Sequence, residues 1–204
     1  MEQRHSSTVR RQAANPPKDS KQRILDCSRT LFSERSFAQV SLKDIAEAAG
    51  VSAPLIIKHF QSKENLFEQT VDFTVSAQSL FKGPFEQLGI TAATETLTAP
   101  TTASYSIIRT MTITDGSERS LNAIGARIKR DILNVLATRI EQEAPLPYPA
   151  PELRAQAAMA LLTGLSLMRR VGDTEFEHYS QEELTTYYGG LVQRIIDGRP
   201  TPDN

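Results

Sequence analysis

The sequence predicts an all-α fold, on three observations. Apolar residues recur every three or four positions in nearly every segment beyond residue 19, the period of a helix that buries one face. Ser41 with Asp44, and Ser180 with Glu183, stand three apart ahead of apolar runs, the spacing of a reciprocal helix cap. No two alternating apolar segments are joined by a hairpin turn, so nothing argues for a sheet.

The elements follow in order. Residues 1–19 are polar, carry Arg4, Arg10, Arg11 and Lys18, and read as a flexible basic arm. Ile24, Ser28, Leu31 and Phe32 mark a first helix ending near Ser36. Leu42, Ile45, Ala46 and Ala49 mark a second, Gly50-Val51-Ser52 a turn, and about 53–59 a very short third. Ser62 caps a fourth, expected to run from 63 to about 81. Gly83-Pro84, the Thr/Ala stretch 91–102 and Asp115-Gly116 break the middle of the chain, leaving short helices near 85–88 and 103–112. Leu121, Ile124, Ile128, Ile132, Val135 and Leu136 restore the pattern over about 117–143, and four prolines stiffen the connector behind it. Leu153, Ala157, Ala160, Leu161, Gly164, Leu165 and Met168 line one face of the next helix, closed by Gly172. The last helix passes through Leu184, Tyr187, Leu191 and Ile195. Domain limits are expected at 20–65 and 66–198, with a tail at 199–204.

Composition narrows the classes. The chain has 204 residues, 39% hydrophobic and 23% charged, enough for a buried core and unlike collagen or a disordered polymer. One cysteine, Cys27, cannot form an internal disulfide, which fits a reducing cytoplasm. The longest apolar run, Ala157–Met168, is interrupted by Thr163, Gly164 and Ser166 and falls short of the roughly 20 residues of a membrane span. No apolar stretch follows Arg10-Arg11, so no export signal is read there. A soluble cytoplasmic protein without a membrane partner is expected. Net charge is −1, yet residues 1–70 carry +3 and residues 71–204 carry −4. Two surfaces with different tasks would give that split.

The informative stretch is LKDIAEAAGVSAPLIIKHF, Leu42–Phe60. Ala46 is small where two helices cross closely. Gly50 can take the left-handed conformation that ends a helix, and Ile45, Val51 and Ile56 can fill the wedge between the pair. Ser52 is placed to cap the second helix; Pro54 lacks an N–H, so the Ser52 oxygen would have to accept from Leu55. Those choices specify a helix-turn-helix.

In its wider setting, RILDCSRTLFSERSFAQVSLKDIAEAAGVSAPLIIKHFQSKENLF resembles the N-terminal DNA-binding domain of the bacterial tetracycline-repressor (TetR) family. Ile24-Leu25, Leu31-Phe32, Ile45-Ala46, Ala49-Gly50-Val51, His59-Phe60 and Lys63-Glu64 fall in step over about 21–72. The remainder is similar in architecture to the family's helical-bundle ligand-binding and dimerisation domain. The resemblance implies a homodimeric repressor that holds a palindromic double-stranded DNA operator, with recognition helices in successive major grooves, and lets go when a small apolar or amphipathic effector binds. Three positions depart from the family pattern. Ser36 stands where Gly is usual and implies a strained or altered turn. Ile57 stands where a phosphate-contacting Tyr is common, with Lys58 as natural substitute. Pro54 replaces a usual small residue, so base preference cannot be carried over.

The DNA-contact set is Ser41, Ser52, Ala53, Pro54, Lys58, His59 and Lys63. Ser41 offers a hydroxyl and nearby N–H groups to phosphate, and Ala53, Pro54 and Lys58 meet base edges, with Ala53 or Pro54 able to touch a thymine methyl. Lys63 sits where the helix dipole disfavours a cation, which a bound phosphate would reverse; its alternative is an ordinary solvated lysine. His59 either donates to phosphate or packs beside Phe60. Arg10 and Arg11 either reach DNA or only solubilise the arm. Phe81, Tyr105, Met111, Met159 and Met168 are candidates for an effector pocket, with plain core packing as the alternative. Ala157, Ala160, Gly164, Leu184, Tyr188, Leu191 and Ile195 are candidates for a dimer interface, and Tyr187 and Val192 add apolar area beyond what one face needs. The scattered histidines, the lone cysteine and the absence of a nucleophile elbow or Gly-rich phosphate loop argue against an enzyme, a metal or a cofactor. The alternatives are a DNA-binding regulator without effector and a small-molecule-binding or enzymatic helical module.

Overall fold

The computed structural model describes residues 19–100, 117–170 and 174–199. The arm with Arg10 and Arg11, the helix expected near 103–112, Tyr105, Met111 and Gly172 lie outside the described residues. Ten α-helices are described: α1 (Ser20–Glu34), α2 (Leu42–Ala49), α3 (Ala53–Phe60), α4 (Lys63–Thr70), α5 (Thr74–Leu80), α6 (Leu88–Thr98), α7 (Glu118–Ile128), α8 (Asn134–Glu143), α9 (Pro151–Arg170) and α10 (Gln181–Asp197). A π-helical turn, Lys129–Leu133, joins α7 to α8 as one rod, and short 3₁₀ turns precede α6 and α10. No strand occurs among the described residues, in keeping with the all-α expectation.

The N-terminal helices close on an aromatic cluster. Phe67 of α4 meets Phe32 of α1 edge-on at 4.9 Å between ring centroids and Phe37 at 5.1 Å. Such pairs add about 1 kcal/mol each beyond the area they bury. Ile24, Ile45, Ile56 and Phe60 complete this core.

The helix expected over 63–81 is broken into two. Val71 is extended, and the Asp72 carboxylate accepts the Thr74 N–H at 2.8 Å, starting α5 afresh. Phe73 is fully buried, and its N–H donates to Asp131 Oδ2 at 3.2 Å. Arg127 pairs with the same Asp131 oxygen at 2.7 Å and lies 3.7 Å from Asp72. Tertiary bonding to the π turn therefore outweighs continuation of the helix. Glu68–Arg130, 3.1 Å, and Glu64–Arg119, 3.9 Å, add ion pairs between α4 and the rod. Both are half exposed and worth little singly.

Of the stretch 91–102, expected as a break, residues 91–98 are helical in α6. Its face of Gly89, Ala92, Ala93 and Thr96 is buried, and the Thr94 and Thr98 hydroxyls donate to the carbonyls of Ile90 and Thr94 at 2.8 Å each. Burial and satisfied hydroxyls offset the modest helix propensity of threonine. The partner is α10, where Gly89 and Gly189 bring the two backbones together. A Cβ on Gly89 would sit 2.1 Å from the Gly189 carbonyl oxygen. The Gln193 side chain seals this crossing, accepting from the Gly89 N–H at 2.9 Å and donating to the Phe85 carbonyl at 3.1 Å.

Helix α9 buries Arg154, Ala155, Ala158, Met159, Leu162 and Leu165. Of the stripe read from the sequence, only Leu165 is buried; Leu153, Ala157, Ala160 and Met168 are exposed, and Leu161 and Gly164 are half-buried. The buried Arg154 guanidinium donates to the Leu146 and Ile196 carbonyls at 3.1 and 3.0 Å, pinning the proline-rich connector to the end of α10. No described helix is long and apolar enough to cross a membrane.

Gly89→Ala is expected to lower stability by about 3 kcal/mol, because backbone atoms cannot move aside. Gly125→Ala, with nothing within 4 Å of the added carbon, is expected to be neutral or stabilising by up to about 1 kcal/mol. Urea midpoints of the two variants check both.

Candidate nucleic-acid interface

Helix α2 is capped at both ends by the residues the sequence singles out. The Ser41 hydroxyl accepts the Asp44 N–H at 3.1 Å, while Asp44 Oδ2 accepts the Ser41 N–H at 2.8 Å and its hydroxyl at 2.7 Å. Those bonds from Ser41 hold the exposed Asp44 carboxyl below its ordinary 3.8. Gly50 is left-handed (φ 63, ψ 42), which lets the Val51 N–H return to the Ala46 carbonyl at 3.0 Å. Ile45 and Ile56 are fully buried in the wedge, and Ala46 is buried at the crossing. The helix-turn-helix is built as expected.

On α3, buried Ile56 and Phe60 fix the rotation of the helix. Its outward residues are then Pro54, Ile57 and Lys58, with Ser52 exposed at the leading end and Ala53 half-buried. The Ser52 side chain makes no cap hydrogen bond, against expectation. Pro54 removes one donor, and the next, Leu55 N–H, is taken by the Ser52 carbonyl at 3.0 Å. Ser62 does cap α4, accepting the Asn65 N–H at 3.1 Å.

Two of the candidates, Lys63 and His59, have partners within the chain. The Lys63 ammonium stands 4.0 Å over the Phe37 ring, a cation–π contact worth about 1 kcal/mol. His59 Nε2 lies 3.4 Å from the Ser20 hydroxyl, half-buried against α1. Ser36 is not among the positive-φ residues, so no strain arises there; its N–H donates to the Gln39 side chain at 3.1 Å. Cys27 is a packing residue, its thiol donating to the Ala48 carbonyl at 3.3 Å. Sequence reasoning missed Gln61. With φ 69 and ψ −42 it forms a tight γ-turn, the Ser62 N–H reaching the Phe60 carbonyl at 2.8 Å. This strained conformation has no local sequence signal, since no glycine marks it.

The remaining candidates are dispersed. Phe81 and Met159 are buried, whereas Met168 is exposed. A cavity of about 480 Å³ is bounded by Phe176, Tyr179, Tyr187 and Tyr188, and one of about 440 Å³ lies between His59, Gln69, Arg127 and Arg130. Neither is lined by Phe81, Met159 or Met168. Ala157 and Ala160 are exposed, while Gly164, Leu184, Tyr188, Leu191 and Ile195 are half-buried. Tyr187 is 65% exposed, and Val192 belongs to the core. Among the described residues no group of three His, Cys, Asp or Glu side chains could hold a metal ion.

Comparison with known proteins covers both halves of the chain. A family model described as "Bacterial regulatory proteins, tetR family" matches residues 24–70, and one described as "Tetracyclin repressor-like, C-terminal domain" matches residues 86–196, more than half of the chain. The chain is similar to the HTH-type transcriptional regulator AcrR of Shigella flexneri, 35% identical over 66 residues, 32% of this chain and 31% of that protein. It is also similar to the HTH-type transcriptional repressor KstR2 of Rhodococcus jostii, 39% identical over 46 residues, 22% of each chain. The matched segments thus span under a third of these relatives. The structure of Salmonella enterica GusR shares the fold, with a TM-score of 0.56 at 20% identity, covering 88% of this chain and 98% of that one.

Ser41→Ala is expected to cost about 1 kcal/mol by removing the cap of α2. The Asp44 contribution has its own pH window. Because the native carboxyl titrates lower than the unfolded one, its stabilisation is complete above the unfolded value and is lost as pH falls through the native value. In Asp44→Asn, stability should therefore fall less steeply below pH 4 than in the unaltered chain, read from urea midpoints across that range.

Proposed function

This chain belongs to the TetR family of bacterial regulatory proteins, and we propose that it acts in the cytoplasm as a homodimeric repressor of transcription. It reads a palindromic double-stranded DNA operator with the outward face of α3. The observation that carries this reading is the α2–turn–α3 unit, with Gly50 left-handed at the turn and Ser52, Pro54, Ile57 and Lys58 facing outward. Such a helix pair lays its second helix in the major groove while neighbouring groups hold phosphates. Ser41, at the start of α2, and Lys63, at the start of α4, serve as the phosphate contacts. His59 supports them from its place against α1. The net −1 of the chain leaves non-specific affinity low, so a correctly spaced pair of half-sites dominates recognition.

Dimerisation is assigned to the faces of α9 and α10 left uncovered in the single chain. Ala157, Ala160 and Gly164 allow close approach of a second copy, and Leu184, Tyr187, Tyr188 and Leu191 supply apolar area. A small apolar or amphipathic effector, bound in the C-terminal domain, draws population toward a conformation whose α3 helices are wrongly spaced for the operator. The joint at Val71–Phe73 supports that route, because α4 and the sensor rod meet there through Asp131.

Selection of genomic fragments bound by the full chain tests the reading: enrichment of a palindromic site is expected, and no enrichment at low salt overturns it. On the selected site, Lys63→Ala should weaken binding evenly across sequences and lower the slope of log affinity against log salt by about one. Lys58→Ala should alter operator preference as a base-reading residue, whereas an even loss marks it as a phosphate contact.

A further inference from the structure

Ile57 is 42% exposed at the middle of α3. A single exposed isoleucine on a protein surface needs no explanation. This one is given meaning by its register. Ile56 and Phe60 are only 0% and 1% exposed, so α3 cannot rotate to bring Ile57 inward. Pro54 stands three residues before it on the same outward face, and Lys58 lies beside it. The surface offered by the second helix of the helix-turn-helix is therefore an apolar strip, Pro54–Ile57, with one cation at its edge.

That composition limits what the helix can read. The polar code of the major groove is read by bidentate side chains, Arg or Lys on guanine and Asn or Gln on adenine. Of these α3 has only Lys58, at the edge of the strip. The apolar group that the groove itself presents is the C5 methyl of thymine, and an aliphatic side chain recognises it by excluding water from both. We propose that Ile57, with Pro54 beside it, is a specificity-determining residue that reads a thymine methyl in each operator half-site. The inference rests on the DNA-binding reading above and adds to it the base and the atom recognised. It also gives position 57 a different task from the phosphate-contacting tyrosine that the family resemblance implies there.

The test uses the full chain and a duplex chosen by selection from genomic fragments. Each thymine of the site is replaced in turn by deoxyuridine, which keeps every hydrogen-bonding group and removes only the methyl. Loss of one buried methyl corresponds to about a fourfold weaker binding, and loss at the equivalent position of both half-sites to about fifteenfold. Such a loss is expected at one thymine per half-site. In Ile57→Ala it should vanish, with thymine and deoxyuridine duplexes bound equally; because Ile57 is exposed, the thermal midpoint of this variant should match that of the unaltered chain. Ile57→Val should keep part of the discrimination.

Three results would overturn the proposal. Tight binding with every deoxyuridine neutral would make Ile57 a packing contact to sugar or phosphate. Methyl dependence that persists in Ile57→Ala would assign the contact to another residue, Pro54 first. Failure of the chain to bind any genomic fragment at low salt would remove the DNA-binding reading itself, and is distinguishable from the other two because no duplex is then retained.

Discussion

The position of the helix-turn-helix depends on one buried carboxylate. Asp131 Oδ2 accepts the Phe73 N–H, from the end of the N-terminal helices, and pairs with the Arg127 guanidinium of its own rod, while Oδ1 lies 3.5 Å from Arg130. Its side chain is only 8% exposed, so the attraction is weakly screened, and the two arginines and the N–H together compensate the buried charge. Several features follow from it. The chain must leave the helical path at Val71, Asp72 must cap what comes next, and Phe73 must be buried where the two halves meet. The ion pairs of Glu64 and Glu68 add weak contacts between α4 and the rod, and α4 carries the aromatic cluster on which α1 and the helix-turn-helix pack. A short path of packed and bonded groups thus joins the rod to α3.

The π turn explains how the rod supplies that carboxylate. Asp131 and Ile132 lie within the wide turn between α7 and α8, their side chains 8% exposed and fully buried. Behind the rod, the Gly89–Gly189 crossing fixes α6 on α10 at backbone contact, a rigid base. The uncovered faces of α9 and α10 lie on the same base. In the proposed dimer, the spacing of the two readers is therefore set by rigid parts, with the Val71–Phe73 joint as the place where it can change.

Local chemistry made the reader legible in the sequence. The capping box at Ser41, the left-handed Gly50 and the buried Ile45 and Ile56 are all decided within a few residues of one another, and each stands where the spacing places it. The features that escaped are those decided at a distance. At Val71 the only local sign of a break is Asp72, which accepts the Thr74 N–H, while the acceptor for Phe73 lies 58 residues away. The Thr/Ala stretch after Leu88 looks like a poor helix until the glycine of a distant helix is set against it. The apolar stripe of α9 has the right period, but a buried arginine at position 154 shows that the core faces the other side. Ser52 sits at its cap position with its hydroxyl unused, since a backbone carbonyl reached the available donor first.

In the proposed dimer, the outward face of α3 is presented twice to the operator. Hydroxyl-radical footprinting of the full chain on a selected genomic fragment measures this directly. Two symmetric protected patches are expected on one face of the duplex, centred about 34–36 Å apart or slightly more. A single patch, or protection spread evenly along the fragment, would contradict that arrangement.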